Sequence, residues 1–238
     1  MLNITENPVR INSFTAKQEL KILLESGDIT GVVNKTKIHK YKKALMYLLY
    51  DDDKLIQWRV IEAIGRLAFI ESQEDIEKVR EMIRRQFWMM NDESGSLSWH
   101  GPEIVAEILC NVPDLLDEYG MILTSFMAEE PFERGSHWAV QRLVQLRPDI
   151  FIMIKDKLLH SLADNDPAIR GYSLMALTAL RVSIPEVHLN ILKNDDSNFE
   201  IFDFKSSEMT DISIRDIVNS NIIEKQIESN SDNLYTTR

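Results

Sequence analysis

Asp53-Lys-Leu-Ile-Gln-Trp-Arg-Val-Ile-Glu-Ala63-Ile64-Gly65 aligns without a gap with Asp166-Pro-Ala-Ile-Arg-Gly-Tyr-Ser-Leu-Met-Ala176-Leu177-Thr178. Two weaker copies lie between them, Trp99-His-Gly-Pro-Glu-Ile104-Val105-Ala106 and Arg134-Gly-Ser-His-Trp-Ala139-Val140-Gln141. Their equivalent positions, Ala63, Ile104, Ala139 and Ala176, recur roughly 35 to 41 residues apart, the period of a two-helix repeat. The spacing predicts an all-α chain, an α-α superhelix of stacked pairs, whose inner helices begin at these phrases.

Around the phrases, apolar residues fall at helical spacing. A first helix is expected from Thr15 to Ser26, stopped by Gly27, with a short connector or broken turn from Asp28 to Thr36. Four helix pairs follow. The first is Lys37–Tyr50 with Leu55–Ile70, and the second is Asp75–Met90 with Trp99 or Pro102 to Asn111. The third is Leu115–Ala128 with Gly135–Leu146, and the fourth is Pro148–Ala163 with Pro167–Val182. Asp164-Asn-Asp166-Pro167 is a helix start with its capping side chain placed before a first-turn proline.

After Pro185 the pattern changes: Phe199–Phe204 alternates like a strand, and Thr210–Ile214 is its expected partner. Ile214–Ile227 is read as a closing helix. The expected organisation is an N-terminal segment with a capping helix (1–36), the repeats (37–182), a small strand-containing C-terminal cap (183–227) and a disordered tail (228–238).

Composition narrows the function classes. An apolar fraction of 44% suffices for a core, and the net charge of −11 opposes general nucleic-acid binding. The start lacks the charged and apolar regions of a signal peptide, and no apolar run reaches membrane-span length. The expectation is therefore a cytoplasmic protein that binds neither nucleic acid nor membrane. Cys110 reads as a small buried hydrophobe.

The phrase beginning at Asp166 resembles the Asp-Pro-x-Val-Arg-x-x-Ala-x-x-Ala-Leu pattern of HEAT repeats, especially PBS-lyase HEAT-like repeats. In that pattern the Asp caps the inner helix, the Arg links repeats and the small Ala lets helices approach. The first copy departs from it with Gln57 in place of the Arg, and the middle copies lack the Asp-Pro opening. The resemblance covers about residues 37–182. Trp88-Met-Met-Asn-Asp-Glu-Ser-Gly-Ser-Leu-Ser-Trp99-His-Gly-Pro-Glu103 also resembles the signature of a prokaryotic HEAT-repeat family with no established activity.

A solenoid places its intra-repeat turns on one edge. Here that edge collects Asp51-Asp52-Asp53, Asn91-Asp92-Glu93-Ser94, Glu129-Glu130 with Glu133, and Asp164-Asn165-Asp166. Capping accounts for Asp53 and Asp166. It accounts less well for the second repeat, where tryptophans bracket an expanded turn. Trp99 and Glu103 are expected one turn apart on one helix face, with His137 and Trp138 beside them on the adjacent inner helix. The candidate binding set is thus Asn91, Asp92, Glu93, Ser94, Trp99, His100, Glu103, His137 and Trp138. The alternative reading makes the tryptophans packing residues and the Asn91–Gly95 stretch an ordered turn.

No pair among the five histidines has metal-ligand spacing, and no phosphate loop, nucleophile elbow or Cys-x-x-Cys is present, so no cofactor and no catalysis are expected. The leading expectation is a non-catalytic binding or scaffold module for a protein or peptide, its acidic edge favouring a basic segment. The PBS-lyase resemblance implies a second possibility, a cofactor-handling protein of the bilin-lyase type. A third is a HEAT-like DNA glycosylase using Trp99, Trp138 and Glu103, which the scarcity of basic residues on the inner surface opposes. The run Lys35, Lys37, Lys40, Lys42, Lys43 reads as a solvated helix face or as a docking patch for an acidic partner.

Overall fold

A computed structural model of the chain describes residues 13–91 and 98–220. These are mostly helical, with a two-stranded antiparallel sheet near the C-terminus. The readings of residues 1–12, 92–97 and 221–238, the tail at 228–238 included, lie outside the described residues. The chain divides into two compact units, Met1–Leu67 and Ala68–Arg238.

In the first unit, α1 (Ser13–Glu25) packs on α3 (His39–Leu48). α1 buries Ala16, Leu20 and Leu24, and α3 buries Tyr41, Ala44, Leu45 and Leu48. Gly27, at φ 73°, ends α1: its amide and that of Asp28 donate to the carbonyls of Leu24 and Leu23. Asp28 then caps α2 (Ile29–Lys35) through the Gly31 amide, so the expected connector is a short capped helix. Arg59 of α4 (Lys54–Glu74), itself buried, donates to the carbonyls of Leu24 and Glu25 and so satisfies the open end of α1.

In the second unit, α5 (Ile76–Met90) begins at the capping side chain of Asp75 and packs on α6 (Gly101–Asn111). Next come a 3-10 turn (Pro113–Leu115), the single turn α7 (Leu116–Tyr119), a longer 3-10 stretch (Gly120–Ala128) and α8 (Glu133–Val144). Where one helix over Leu115–Ala128 was expected, the chain is wound mostly three residues per turn. This stretch buries Gly120, Leu123, Phe126 and Met127. The hydroxyls of Thr124 and Ser125 reinforce it by donating to the carbonyls three residues back. The Pro148–Ala163 helix is likewise broken into α9 (Pro148–Phe151), a 3-10 turn (Ile152–Ile154) and α10 (Lys155–Ser161).

α11 (Pro167–Ala179) follows, then α12 (Glu186–Leu192), a helix absent from the sequence reading. The expected hairpin is present: β1 (Asn198–Asp203) pairs with β2 (Glu208–Ser213), Phe199 opposite Ile212 and Asp203 opposite Glu208. Its aromatic residues hold it to the helices. Phe199 meets Tyr172 of α11 edge-on at 5.2 Å, and Phe204 lies 6.1 Å from Trp138 of α8 with Arg142 stacked over it at 4.1 Å. A helical segment begins again at 214–220.

The two best copies of the repeated phrase carry the same local hydrogen bonds. Asp53 and Asp166 accept from the amides of Leu55 and Ala168 at 2.9 and 2.8 Å. One turn earlier, Asp51 and Asp164 accept from the amides of Asp53 and Asp166. Gln57 and Arg170 both reach back to a carbonyl six residues before them, that of Asp51 at 2.5 Å and that of Asp164 at 2.7 Å. The Gln57 departure therefore keeps the backbone contact six residues back, whereas Arg170 also reaches the Asn165 carbonyl and pairs with Asp195.

At Gly171 the β1 hairpin comes so close to α11 that an added methyl would overlap the Phe199 ring. We predict that Gly171→Ala lowers the free energy of unfolding by about 1–3 kcal/mol in urea titration, through overpacking. An unchanged midpoint would show that the hairpin does not lie against α11.

Candidate functional site

The site is built around the start of α6. Ser98, buried, donates to Gln86 Oε1 at 2.6 Å and accepts the Gly101 amide at 2.8 Å, which pins the chain as it enters the helix. Gly101 leaves no room for a side chain, because the Met90 sulfur lies 2.6 Å from where its Cβ would be. Trp99 stands in the turn before α6 rather than on it, with 56% of its surface exposed. The expected Trp99–Glu103 helical face is therefore replaced by a turn residue next to the first turn of the helix. His100, at the N-cap, is half-buried, and burial lowers its pKa.

Glu103 occupies the third position of α6. The residue keeps some surface, yet its Oε2 is sealed from solvent and meets no hydrogen-bond donor among the described residues. Burial pushes its pKa up to about 7, against the opposing pull of its own amide and the Arg134 charge. Gly135 makes the position possible: both Glu103 carboxylate oxygens lie 2.7 Å from where a Cβ would stand. One turn along the same helix, buried Glu107 shows the contrasting case. It accepts from Arg142 at 3.2 Å and from Asn111 at 3.0 Å. Buried carboxylates are normally partnered, and among the described residues the Glu103 Oε2 is not.

Arg134 links Glu103 to a larger acidic group. Its guanidinium pairs with both oxygens of Asp166 at 2.8 and 2.9 Å. Glu133 beside it has a raised pKa, from burial first and then from the carboxylates of Glu130, Asp164, Asp166 and Glu129. Within this unit, the third and fourth turns of the expected rim therefore do come together, with Arg134 the cation among them. Asp164 also borders a cleft of about 310 Å³ that Arg170, His188 and Ile191 help to line.

The other candidate residues separate. His137 and Trp138 are both only 2% exposed and face the interior, not a solvent-lined pocket. His137 Nδ1 lies 2.7 Å from the Glu133 carbonyl, which can only accept, so Nδ1 carries the proton. Nε2 lies 2.9 Å from the Ser161 hydroxyl, which also reaches the Lys157 carbonyl at 3.0 Å, and burial lowers the imidazole pKa. Trp138 packs on Phe204. Asn91 caps α5, its side-chain amide donating to the Phe87 carbonyl at 2.8 Å. Asp92, Glu93 and Ser94 lie outside the described residues.

Arg134, Gly135 and Tyr172 are site residues that the sequence reading passed over, and Asp166, read there as an edge residue and helix cap, is also the partner of Arg134. Tyr172 is buried against the hairpin, and its pKa is raised by burial and then by Glu103. The signal available for Arg134-Gly135 was their place at the opening of one of the similar sequence phrases, the one that follows the phrase containing Glu103. Among the described residues no three His, Cys, Asp or Glu side chains converge on a metal position. Cys110, half-buried, has its pKa pushed up to about 12 by burial and then by Glu107, which suits a thiol that stays protonated. No helix among the described residues is long and apolar enough to cross a membrane.

No protein-family model matches the chain, and no solved structure does. It is similar to an uncharacterized protein of Archaeoglobus fulgidus, 25% identical over 177 residues that make up 73% of this chain and 91% of the relative.

The raised pKa of Glu103 has a pH signature. Its stabilisation is complete below the ordinary carboxyl range and is lost as pH rises toward 7. Between about pH 4 and pH 8, the unfolding free energy of the wild type should fall relative to Glu103→Gln by roughly 3 kcal/mol. Parallel stability profiles for the two proteins would contradict the burial of this carboxyl.

Proposed function

We propose that the chain is a non-catalytic binding module, a stack of HEAT-like helix pairs that holds a basic segment of a protein or peptide partner. The shared hydrogen bonds of Asp53 with Asp166 and of Gln57 with Arg170 support the repeat reading, as do the fully buried alanines at positions 63, 139 and 176. In a solenoid these phrases open the inner helices, and their starts form the edge that meets partners.

One observation carries the binding reading: the Glu103 carboxyl, whose buried Oε2 has no partner among the described residues, lies four residues in sequence from a tryptophan that is more than half exposed. A lysine or arginine side chain would complete the first and stack on the second. Burial first and then the carboxylates of Glu130, Asp164, Asp166 and Glu129 raise the pKa of Glu133, and an incoming cation offsets that gathering of negative charge. His137 and Trp138 contribute from beneath, fixing α8 so that Gly135 faces Glu103.

Fluorescence anisotropy with a labelled lysine-rich peptide tests this. Trp99→Ala and Glu103→Gln should each weaken binding by about tenfold, and a glutamate-substituted peptide should not bind. Equal affinity of wild type and both variants would remove this edge from the binding surface.

A further inference from the structure

The C-terminal hairpin has two long edges, and the helices cover one of them. Ser197 and Ile214 continue its register one pair beyond the strands, and the Ile214 amide donates to the Ser197 carbonyl at 3.2 Å. Hydrogen-bonded and non-bonded pairs alternate along an antiparallel ladder. Phe199 with Ile212 and Ile201 with Thr210 are therefore bonded pairs, whereas Glu200 with Asp211 and Phe202 with Met209 are not. The backbone groups of Glu200 and Phe202 thus point away from β2, and those of Met209 and Asp211 point away from β1. On the β1 side α11 packs against the strand, and the Tyr172 hydroxyl donates to the Glu200 carbonyl at 3.4 Å. On the β2 side, among the described residues, no third strand is present and no group bonds to the outward backbone of Met209 or Asp211. We propose that this open edge of β2 is a docking site for an extended, basic segment of a partner protein, which adds to the hairpin as a third strand.

The hairpin sets the charge of that segment. Residues 198–213 hold four acids, Glu200, Asp203, Glu208 and Asp211, against the single Lys205, a net charge of −3. The register places Glu200 directly opposite Asp211 and Asp203 directly opposite Glu208. Like charges so placed destabilise a strand pair, and the side chains are closest in a non-bonded pair such as Glu200 with Asp211. Asp211 is exposed, and its side chain has no partner among the described residues. Charge on an edge strand guards it against pairing with its own kind. A guard accounts for Asp211, but not for the acids set opposite each other across the hairpin. A lysine or arginine on a third strand, beside Asp211 and on the face it shares with Glu200, offsets both carboxylates.

The edge also selects the form of the partner. A helix satisfies its own backbone groups, whereas an extended segment offers every second residue's groups to β2. β2 is six residues long, about 20 Å, which suits a segment of similar length. β-branched residues alternating with Lys or Arg fit it: the basic ones fall on the Asp211 face and the others on the face of Thr210 and Ile212. A second copy of the hairpin would bring the same four carboxylates, and a nucleic-acid strand its phosphates, against an edge that is already acidic.

The test combines anisotropy with amide hydrogen exchange by NMR, using a labelled peptide of alternating Lys and Val, about eight residues long. In the free protein the Met209 and Asp211 amides should exchange readily, and saturating peptide should slow both by about tenfold or more. Asp211→Lys should bind the peptide about tenfold more weakly, and added salt should reduce the affinity. The same peptide N-methylated at every amide keeps its charge, loses its donors and should not bind; it decides the matter on the wild type if Asp211→Lys proves unfolded. Exchange is also measured in Glu103→Gln, where protection of Met209 and Asp211 should persist, so this edge and the Glu103 surface fail or succeed separately. No peptide binding, binding without protection at these two amides, protection lost in Glu103→Gln, or undiminished binding by a folded Asp211→Lys or of the N-methylated peptide would each overturn the proposal. So would amides already protected in the free protein, which would show the edge occupied by a second copy or by the chain itself.

Discussion

The second unit depends on the near-complete burial of α8. Nine of its twelve residues are buried, so this helix has almost no solvent side on which to place polar groups. Each polar residue on it must find a protein partner or remain unsatisfied at a cost. His137 is held between the Glu133 carbonyl and Ser161, and Arg142 is shared between Glu107 and the Phe204 ring. Trp138 gives the hairpin its seat. The demands of one walled-in helix thus explain why α6, α10 and the C-terminal hairpin carry the residues they do.

Seen this way, Glu103 is the point where the same demand is left open. Gly135 brings the carboxyl against α8, and its Oε2, like the buried hydroxyl of Ser136 on α8 itself, meets no hydrogen-bond partner among the described residues. An evolved core removes such a group or pairs it; Glu107, on the next turn, shows that this helix can pair one. The opening coincides with an exposed tryptophan and with Glu133, whose pKa is raised by burial first and then by the neighbouring carboxylates. A site that lacks only a cation is the economical account of all three.

Much of the helical arrangement was legible because capping chemistry is local. Asp75, Asp166 and Gly27 announced helix ends within a few residues of where they fall. The 3-10 stretch at Gly120–Ala128 was missed because a sequence full of Leu, Ile, Met and Phe fits either winding, and the buried set Gly120, Leu123, Phe126 and Met127 suits both. α12 was missed because seven residues after a proline give too short a window for periodicity. In the site, aromatic and imidazole side chains carry no mark of which way they face, so Trp99 and Trp138 looked equivalent although one is exposed and the other buried. Pairings such as Arg134 with Asp166 join residues 32 apart, beyond any local pattern.

The central claim, a buried carboxyl that awaits a cationic group, is tested most directly by carbon-13 NMR titration of the glutamate carboxyls, with and without the lysine-rich peptide. The account predicts one carboxyl, assigned through Glu103→Gln, that titrates near pH 7 in the free protein and moves to lower pH when the peptide is bound. A Glu103 carboxyl titrating in the ordinary range, or one raised but indifferent to the peptide, would contradict it.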